Sequence, residues 1–406
     1  MKQLFAFLCA TLLFVSCGKD DPTPTPTTAK RTVIVYMSAE NNLSSFADMD
    51  TTEMIAASKT LGKDCNYIAF LDKATPTETP TIWKYAEGKK ELVKQFETDF
   101  YNSDPEKIYE VLEWIKQKYP ANSYGLVLWG HATGWEIEGD TVPLAANSDL
   151  RRAFGRDTGD NTKSADNLGK WINIPTLAKV LAHLSFKFDY IFCDCCNMSN
   201  AESIYELRNV TNYIIASPSE IPARGAPYDK LTTYLFDTSG STTAYQKIID
   251  TYADDTDSRL PLVLTKTSEM EQLANATRVI LQPLEPTAEK VMNLNGLMYY
   301  DGEIICALRV LYDMNDFLKQ NDSADEYAQW KQAFDRTVIY KRFAETWQTN
   351  GHVNFKDFTA SEEKYGGLSM YVPRKFYNNY SYSRHYNSTY CQMQWYWITQ
   401  WNNYGW

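Results

Sequence analysis

Histidine is scarce in this chain. The 406 residues hold four, His131, His183, His352 and His385, so imidazole chemistry has few places to occur. There is no basic stripe, and the formal charge of −11 comes from 51 acidic against 40 basic residues. A nucleic-acid footprint is therefore missing. The acidic balance would attract cationic substrates only weakly, since net charge governs solubility more than specificity. No internal repeat and no EF-hand loop is present. The apolar run Leu4 to Val15 is too short to span a bilayer as a mature helix. A carbohydrate-handling role, which the 14% aromatic content would suit, lacks a pair of acids that can be placed for it.

The N-terminus reads as an export signal. Lys2 supplies a short basic region and Leu4 to Val15 the apolar one. Val15-Ser16-Cys17 resembles a bacterial lipobox, with Phe14 where Leu is usual. Gly18-Lys-Asp-Asp followed by Pro22-Thr-Pro-Thr-Pro-Thr-Thr makes a stiff, extended tether. Cleavage before Cys17 and acylation of that residue are expected, against the plainer reading of a secretory signal with an incidental cysteine. Of eight cysteines, loss of Cys9 and acylation of Cys17 leave Cys65, Cys193, Cys195, Cys196, Cys306 and Cys391. An exported protein could pair some of them. Three within four positions make a poor disulfide framework, and sequence assigns no connectivity.

Thr32 to Met37 is a β-branched run expected to form the first strand of the folded part. Asn41-Asn42-Leu43 breaks it, and Ser45 to Leu61 has helical spacing. Asn66 to Leu71 is a second strand, and Thr81 to Tyr85 a sheet-edge strand after Pro76 and Pro80. Ser103-Asp104-Pro105-Glu106 starts a helix with a cap and a first-turn proline. Tyr124 to Gly130 is an apolar strand ending in His131. Residues 136–170 show no period and read as a long functional or mobile loop. A helix from Ile174 to Leu184 leads to the apolar run Phe188 to Phe192, which ends in Cys193, Asp194, Cys195 and Cys196. Strand, helix, strand implies a right-handed crossover that puts His131 and the cysteines at one sheet edge. Further elements are helix Ser199 to Arg208, strand Asn212 to Ala216 and the loop from Ser217 to Tyr228. Helical segments are expected at Leu231 to Phe236, Ala244 to Tyr252, Met270 to Leu281 and Asp325 to Phe343. Leu260 to Thr265 is extended, and Gly367 to Pro373 reads as a late strand.

Chemistry in open α/β sheets sits at strand carboxyl ends. A thiol and an imidazole there are what a cysteine nucleophile needs. His183, His352 and His385 lack that position and read as surface or core residues. Cys193 reads as a small core hydrophobe. Zinc binding by Cys193, Cys195 and Cys196 conflicts with their spacing and with adjacent strand residues facing opposite ways. A redox pair of Cys193 and Cys196 lacks the required helix start.

Leu128-Trp-Gly-His-Ala-Thr-Gly-Trp135, Asp194-Cys-Cys-Asn-Met198, and Ala216-Ser-Pro-Ser-Glu220 through Gly225-Ala-Pro-Tyr228 resemble the signature blocks of the clostripain family of cysteine peptidases. That family has a caspase-like fold and is related to gingipains and legumains. Weaker similarity runs from Tyr36-Met37 and Asn41-Asn42-Leu43 to Gly367-Leu-Ser-Met-Tyr-Val-Pro373. The family register, Asp two before and Met two after the nucleophile, selects Cys196. The resemblance makes His131 the general base, Asp194 a ligand of a basic P1 side chain and Glu220 an acidic residue shaping the site. Backbone N–H groups of Ala132 and Cys196 become the oxyanion hole. This chain departs from the family at Gly130, where Asp is usual, at Ala132, where Gly is usual, and at Pro218. Some members cut themselves between the His and Cys strands, which makes Arg151, Arg152 and Arg156 autoprocessing candidates. The resemblance implies no cofactor for the chemistry; some members use calcium.

The expected fold is α/β, a caspase-like, mainly parallel sheet flanked by helices, with a smaller mixed C-terminal part. The expected organisation is a signal peptide at 1–16, a lipid-anchored tether at 17–30, a catalytic core at 31–260 and a C-terminal subdomain at 261–406. The expected function is a cysteine endopeptidase cutting peptide or protein substrates after Arg or Lys. It would act as a monomer, exported and lipid-anchored to the bacterial outer membrane or cell surface, touching membrane only through its anchor. The competing reading is a non-catalytic surface lipoprotein that binds peptides on the same fold.

Overall fold

The computed structural model describes residues 28–75, 78–137, 153–159, 169–257, 259–282, 292–301, 310–347, 359–379 and 384–404. The leader, Cys17, Arg151, Arg152, Cys306 and His352 lie outside the described residues. Five parallel strands form the centre of a sheet. They are β1 (Ala29–Ala39), β2 (Cys65–Lys73), β5 (Ala121–Trp129), β8 (Phe188–Asp194) and β9 (Thr211–Ala216). On one side the sheet continues through antiparallel β3 (Thr81–Ala86) and β4 (Lys89–Gln95). On the other it continues through β10 (Leu262–Lys266) and β12 (Val338–Arg342), also antiparallel. The full order is β12-β10-β9-β8-β5-β1-β2-β3-β4.

The central strands are apolar nearly throughout because both of their faces are covered. In β1, Ile34 and Tyr36 enter one core while Val33, Val35 and Met37 enter the other. The first core is closed by α2 (Pro105–Lys118), α3 (Ile174–Ala182), α4 (Ala201–Leu207) and α7 (Met270–Leu281). The second is closed by α1 (Ser44–Ala57), α5 (Tyr228–Leu235) and α6 (Thr243–Asp255). Asp104 caps α2 as its sequence suggests, accepting from the N–H groups of Glu106 and Lys107.

Four expectations change. The strand expected from Thr32 starts at Ala29, within the stretch read as tether. The segment read as one loop, 136–170, contains β6 (Phe154–Asp157), which pairs with β7 (Lys170–Ile172). Thr81 to Tyr85 is not the sheet edge, because β4 covers it. That strand, Lys-Lys-Glu-Leu-Val-Lys-Gln, is too charged to signal a strand by propensity, and lysines are a common protection for an exposed edge. The helix expected over 325–343 is α9 (Ala324–Thr337), which follows α8 (Met314–Asn321); the β-branched Val338-Ile339 turns the chain into β12.

The C-terminal region is joined to the core. It supplies β10 and β12 to the main sheet, and β11 (Tyr312–Asp313) pairs with β13 (Ser369–Met370) beside the start of α4. Ser369 N–H donates to Ser199 O at 3.0 Å, and Tyr371 N–H to the Glu202 carboxylate at 2.9 Å. The last helices, α10 (Arg384–Tyr390) and α11 (Gln394–Ile398), complete this layer with aromatic contacts such as Trp135 against Tyr371 and Tyr390.

Candidate active site

Trp129 ends β5 and Asp194 ends β8, and the two are directly paired. The Gly130 N–H donates to Asp194 O at 3.3 Å, carrying the ladder one step further. His131 and Cys196 each stand two residues past this pair, so the parallel register brings them to neighbouring strand ends. The side-chain period of two then sorts the cysteines. Cys193 and Cys195 enter the core on the α3 and α4 side, whereas Cys196 packs with the opposite core beneath α5 and α6. All three are thiols, and this division rules out a shared metal among them.

His131 Nε2 is 2.8 Å from Asn42 Oδ1. An amide oxygen can only accept, so this contact is a hydrogen bond in the tautomer that carries its proton on Nε2. Asn42 comes from the turn after β1. Its neighbour Asn41 anchors that turn by donating to Ser38 O at 3.0 Å and Arg156 O at 2.7 Å. Trp171 of β7 lies against the His131 ring, with centroids 6.2 Å apart.

Ala132 does not adopt a left-handed backbone; the glycines on either side do, Gly130 at φ 141° and Gly134 at φ 83°. Alanine at 132 is therefore unstrained. Ala132 bridges Phe154 of β6, and the bridge uses the His131 carbonyl and the Thr133 N–H. The Ala132 N–H is directed away from β6.

Residues 196–199 turn sharply. Asn197 has φ 59°, a conformation that non-glycine residues adopt mainly where a site demands it. The loop 217–227 after β9 runs alongside this turn. Asn197 N–H donates to Ser219 O and Ser199 N–H to Ser217 O, both at 2.9 Å. The Ile221 N–H points at Cys196 Sγ, 3.4 Å away. Burial pushes the Cys196 thiol up to about 12; the Glu220 carboxylate adds to this and the Ile221 N–H opposes it. Burial and the Glu220 charge both favour the thiol over the thiolate.

Asp194 is buried, and its oxygens already have donors. Oδ2 accepts from Ala226 N–H at 3.1 Å and Tyr228 O–H at 2.8 Å, and Oδ1 from Tyr252 O–H at 3.0 Å. Burial still raises it, to about 6, against the pull of those donors. Arg156, an autoprocessing candidate by sequence, sits within β6 with its carbonyl bound by Asn41; it is not on an open loop. His183 follows α3 as its C-cap and His385 lies in α10, both away from the two strand ends.

One acidic set has the donor chemistry for a metal. Glu40, Asp72 and Asp157 place carboxylate oxygens within 4.8 Å of one another. They lie at the ends of β1, β2 and β6, behind the turn that carries Asn42. Burial raises all three, and the neighbouring carboxylates push Glu40 and Asp72 up further. An all-oxygen set of this kind suits a hard cation such as calcium.

In the sequence Asn41-Asn42 ends a strand and belongs to the weaker family similarity, and neither gives Asn42 a role. Nothing local distinguishes an asparagine that breaks a strand from one that orients a ring.

No protein with a curated description matches the chain significantly. Solved structures do. A secreted C11 cysteine protease from Bacteroides thetaiotaomicron in complex with an irreversible peptide inhibitor superposes with TM-score 0.73 at 24% identity, over 92% of this chain and 99% of that one. An inactive zymogen C11 protease from Parabacteroides distasonis gives TM-score 0.73 at 25% identity, with the same shares covered. The family model described as the clostripain family, peptidase C11, matches residues 35–406. With the His and Cys blocks at adjoining strand ends and that match running from the first strand to the last residue, the chain belongs to the clostripain family of cysteine peptidases.

Proposed function

We propose that this peptidase is an endopeptidase that cleaves after Arg or Lys through a dyad of His131 and Cys196. The observation that carries the reading is the β5–β8 register, which sets both side chains two residues past one strand pair, with Asn42 on His131 Nε2. Because burial keeps Cys196 protonated, the proton leaves as the sulfur attacks. His131 Nδ1 takes it while the Sγ–carbon bond forms and the carbonyl π pair moves onto oxygen. The N–H groups of Ala132 and Cys196 hold that oxyanion. His131 then returns the proton to the departing amine, leaving a thioester. Water deprotonated by His131 releases the acid and regenerates the thiol.

Asp194 places negative charge beneath the P1 side chain, and Glu220 shapes the wall beside Cys196. Glu40, Asp72 and Asp157 are the residues that would hold a calcium ion. Its part would be to tie three strand ends together behind Asn42, and no step of the reaction runs through it. Self-cleavage would fall in the 136–170 segment, at Arg151 or Arg152; the Parabacteroides relative is described as an inactive zymogen. Export and acylation at Cys17 complete the reading. Among the described residues no helix is long and apolar enough to cross a membrane.

The test is hydrolysis of fluorogenic peptides ending in Arg, Lys, Asp or Ala by wild type and Cys196→Ala, with mass spectrometry of each chain. Cleavage after Arg or Lys that vanishes in the variant supports the reading. Cleavage after another residue keeps Cys196 and removes the basic specificity. No cleavage by folded, reduced protein with the 138–152 segment cut transfers the chain to a peptide-binding role.

A further inference from the structure

Asp50 lies on the second turn of α1, with none of its surface exposed. Its Oδ2 accepts from Trp129 Nε1 at 2.6 Å, while Oδ1 has no hydrogen-bond partner. A buried carboxylate oxygen without a donor is costly and calls for a reason. Trp129 is the residue paired with Asp194, so Asp50, Trp129 and Asp194 form a row below the turn at Cys196. Both carboxylates converge on one point of the 217–227 loop. A Cβ built on Gly225 would stand 3.1 Å from Asp194 Oδ2, 3.1 Å from Asp50 Oδ2 and 3.4 Å from Trp129 Nε1. Along the strand, Cys196 is two residues from Asp194, about 7 Å, which is comparable with an extended Lys or Arg side chain.

We propose that Asp50 is the second carboxylate of the P1 pocket and the one that receives the cation of the substrate. The inference rests on the Arg/Lys reading and names the group that enforces it. Asp194 has three donors on its two oxygens, so its charge is already oriented inward by Ala226, Tyr228 and Tyr252. Asp50 Oδ1 is the acceptor left for an incoming ammonium or guanidinium. The groups facing Asp50 are Asp194 on β8, Glu53 on α1, Arg224 and Tyr228 beside α5, Tyr252 on α6 and Tyr67 on β2. Arg224 is directed to Glu53, at 3.4 Å, and is largely exposed. Burial and the Asp194 charge raise Asp50 to about 9. Both effects favour the neutral carboxyl, and a cation placed beside it would favour loss of its proton.

Asp50→Asn keeps an acceptor for Trp129 and removes the charge. The readout is a ratio: kcat/KM for P1 Arg over P1 citrulline, and for P1 Lys over P1 norleucine. We expect both ratios to fall about a hundredfold in Asp50→Asn, the scale of removing one member of a buried charge pair. A wild type that discriminates and a folded variant that keeps the same ratio overturn the role of Asp50 alone. A wild type with no preference for Arg or Lys overturns the basic-specificity reading, and this inference with it. If the variant does not fold, calorimetry of wild type with agmatine in buffers of different ionisation enthalpy decides. Near one proton released per agmatine at about pH 7.5, where Asp194 is already ionised, supports the proposal; no release overturns it.

Discussion

Asn42 touches the proposed base through one hydrogen bond, and the size of its expected effect follows from that. It orients the His131 ring and favours the tautomer with its proton on Nε2. Asn42→Ala leaves the ring able to rotate and to change tautomer. We expect kcat to fall about three- to tenfold with little change in KM, the worth of one hydrogen bond at a partly exposed ring. A rise in KM of the same size, with kcat kept, would place Asn42 in substrate binding instead. The thiol gives a second expectation. With Cys196 at about 12, alkylation of the resting enzyme by iodoacetamide should climb without a plateau from about pH 7 to about pH 9.5, since the thiolate reacts. Glu220→Gln removes the neighbouring charge that raises the thiol, so alkylation should become about threefold faster or more at fixed pH. An unchanged rate would show that Glu220 does not bear on the sulfur. The neighbouring strand-end positions of His131 and Cys196 were legible in the sequence, because an apolar strand ending in a reactive residue is a local pattern. Asn42 and Asp50 were not. Asp50 left one trace, a carboxylate within the buried stripe of α1 formed by Ala47, Thr51 and Met54.

The elements that carry the site meet at Gly134. A Cβ there would lie 2.5 Å from Asn200 Nδ2 and 2.6 Å from Asn197 O, and its φ of 83° suits glycine. Gly134 therefore sets how closely the segment after β5 approaches the turn after β8. Gly134→Ala must both strain the backbone and push these two segments apart. We expect a loss of about 2–4 kcal/mol in unfolding free energy and a fall in kcat that a distant variant of equal instability does not show. Denaturant titration and steady-state kinetics on the pair of variants measure both. Elements that were legible are those with strong local signals: the doubly buried central strands, the capped α2, and α3 with its early proline. Two of the missed elements, β4 and β12, are the two edges of the sheet. An edge strand covers less apolar surface and carries lysine or arginine, so its sequence resembles a turn or an amphipathic helix. The β6–β7 pair was missed for another reason: it is short and depends on contacts with the His131 segment that no local window contains.

At the scale of the whole molecule, acids buried without cations dominate the response to pH. Glu202 fastens the C-terminal layer to α4, accepting from the Tyr371 N–H at 2.9 Å and the Tyr390 O–H at 3.1 Å; burial raises it to about 7. Asp194 is raised to about 6 and Asp50 to about 9, and Glu40, Asp72 and Asp157 are raised as well. Each folded-state value lies above that of the unfolded chain, so the native state binds the extra proton. The corresponding stability is whole below about pH 4 and is lost as pH rises through each folded value, over a window from about 4 to about 10. Exposed pairs act in the opposite sense. Lys30 lowers Asp64 and Lys319 lowers Glu363, so their contribution is lost as pH falls, and such exposed pairs are worth little. The net charge of −11 adds self-repulsion on the alkaline side. We therefore expect Cys196→Ala, which cannot digest itself, to melt at a higher temperature at about pH 5.5 than at about pH 8.5. Glu202→Gln keeps both acceptor contacts and removes one titrating group, so the decline between those two values should become shallower. A melting temperature that rises steadily from about pH 5.5 to about pH 8.5 would mean that cations or water enter these sites, and that the buried acids are ionised in the native state.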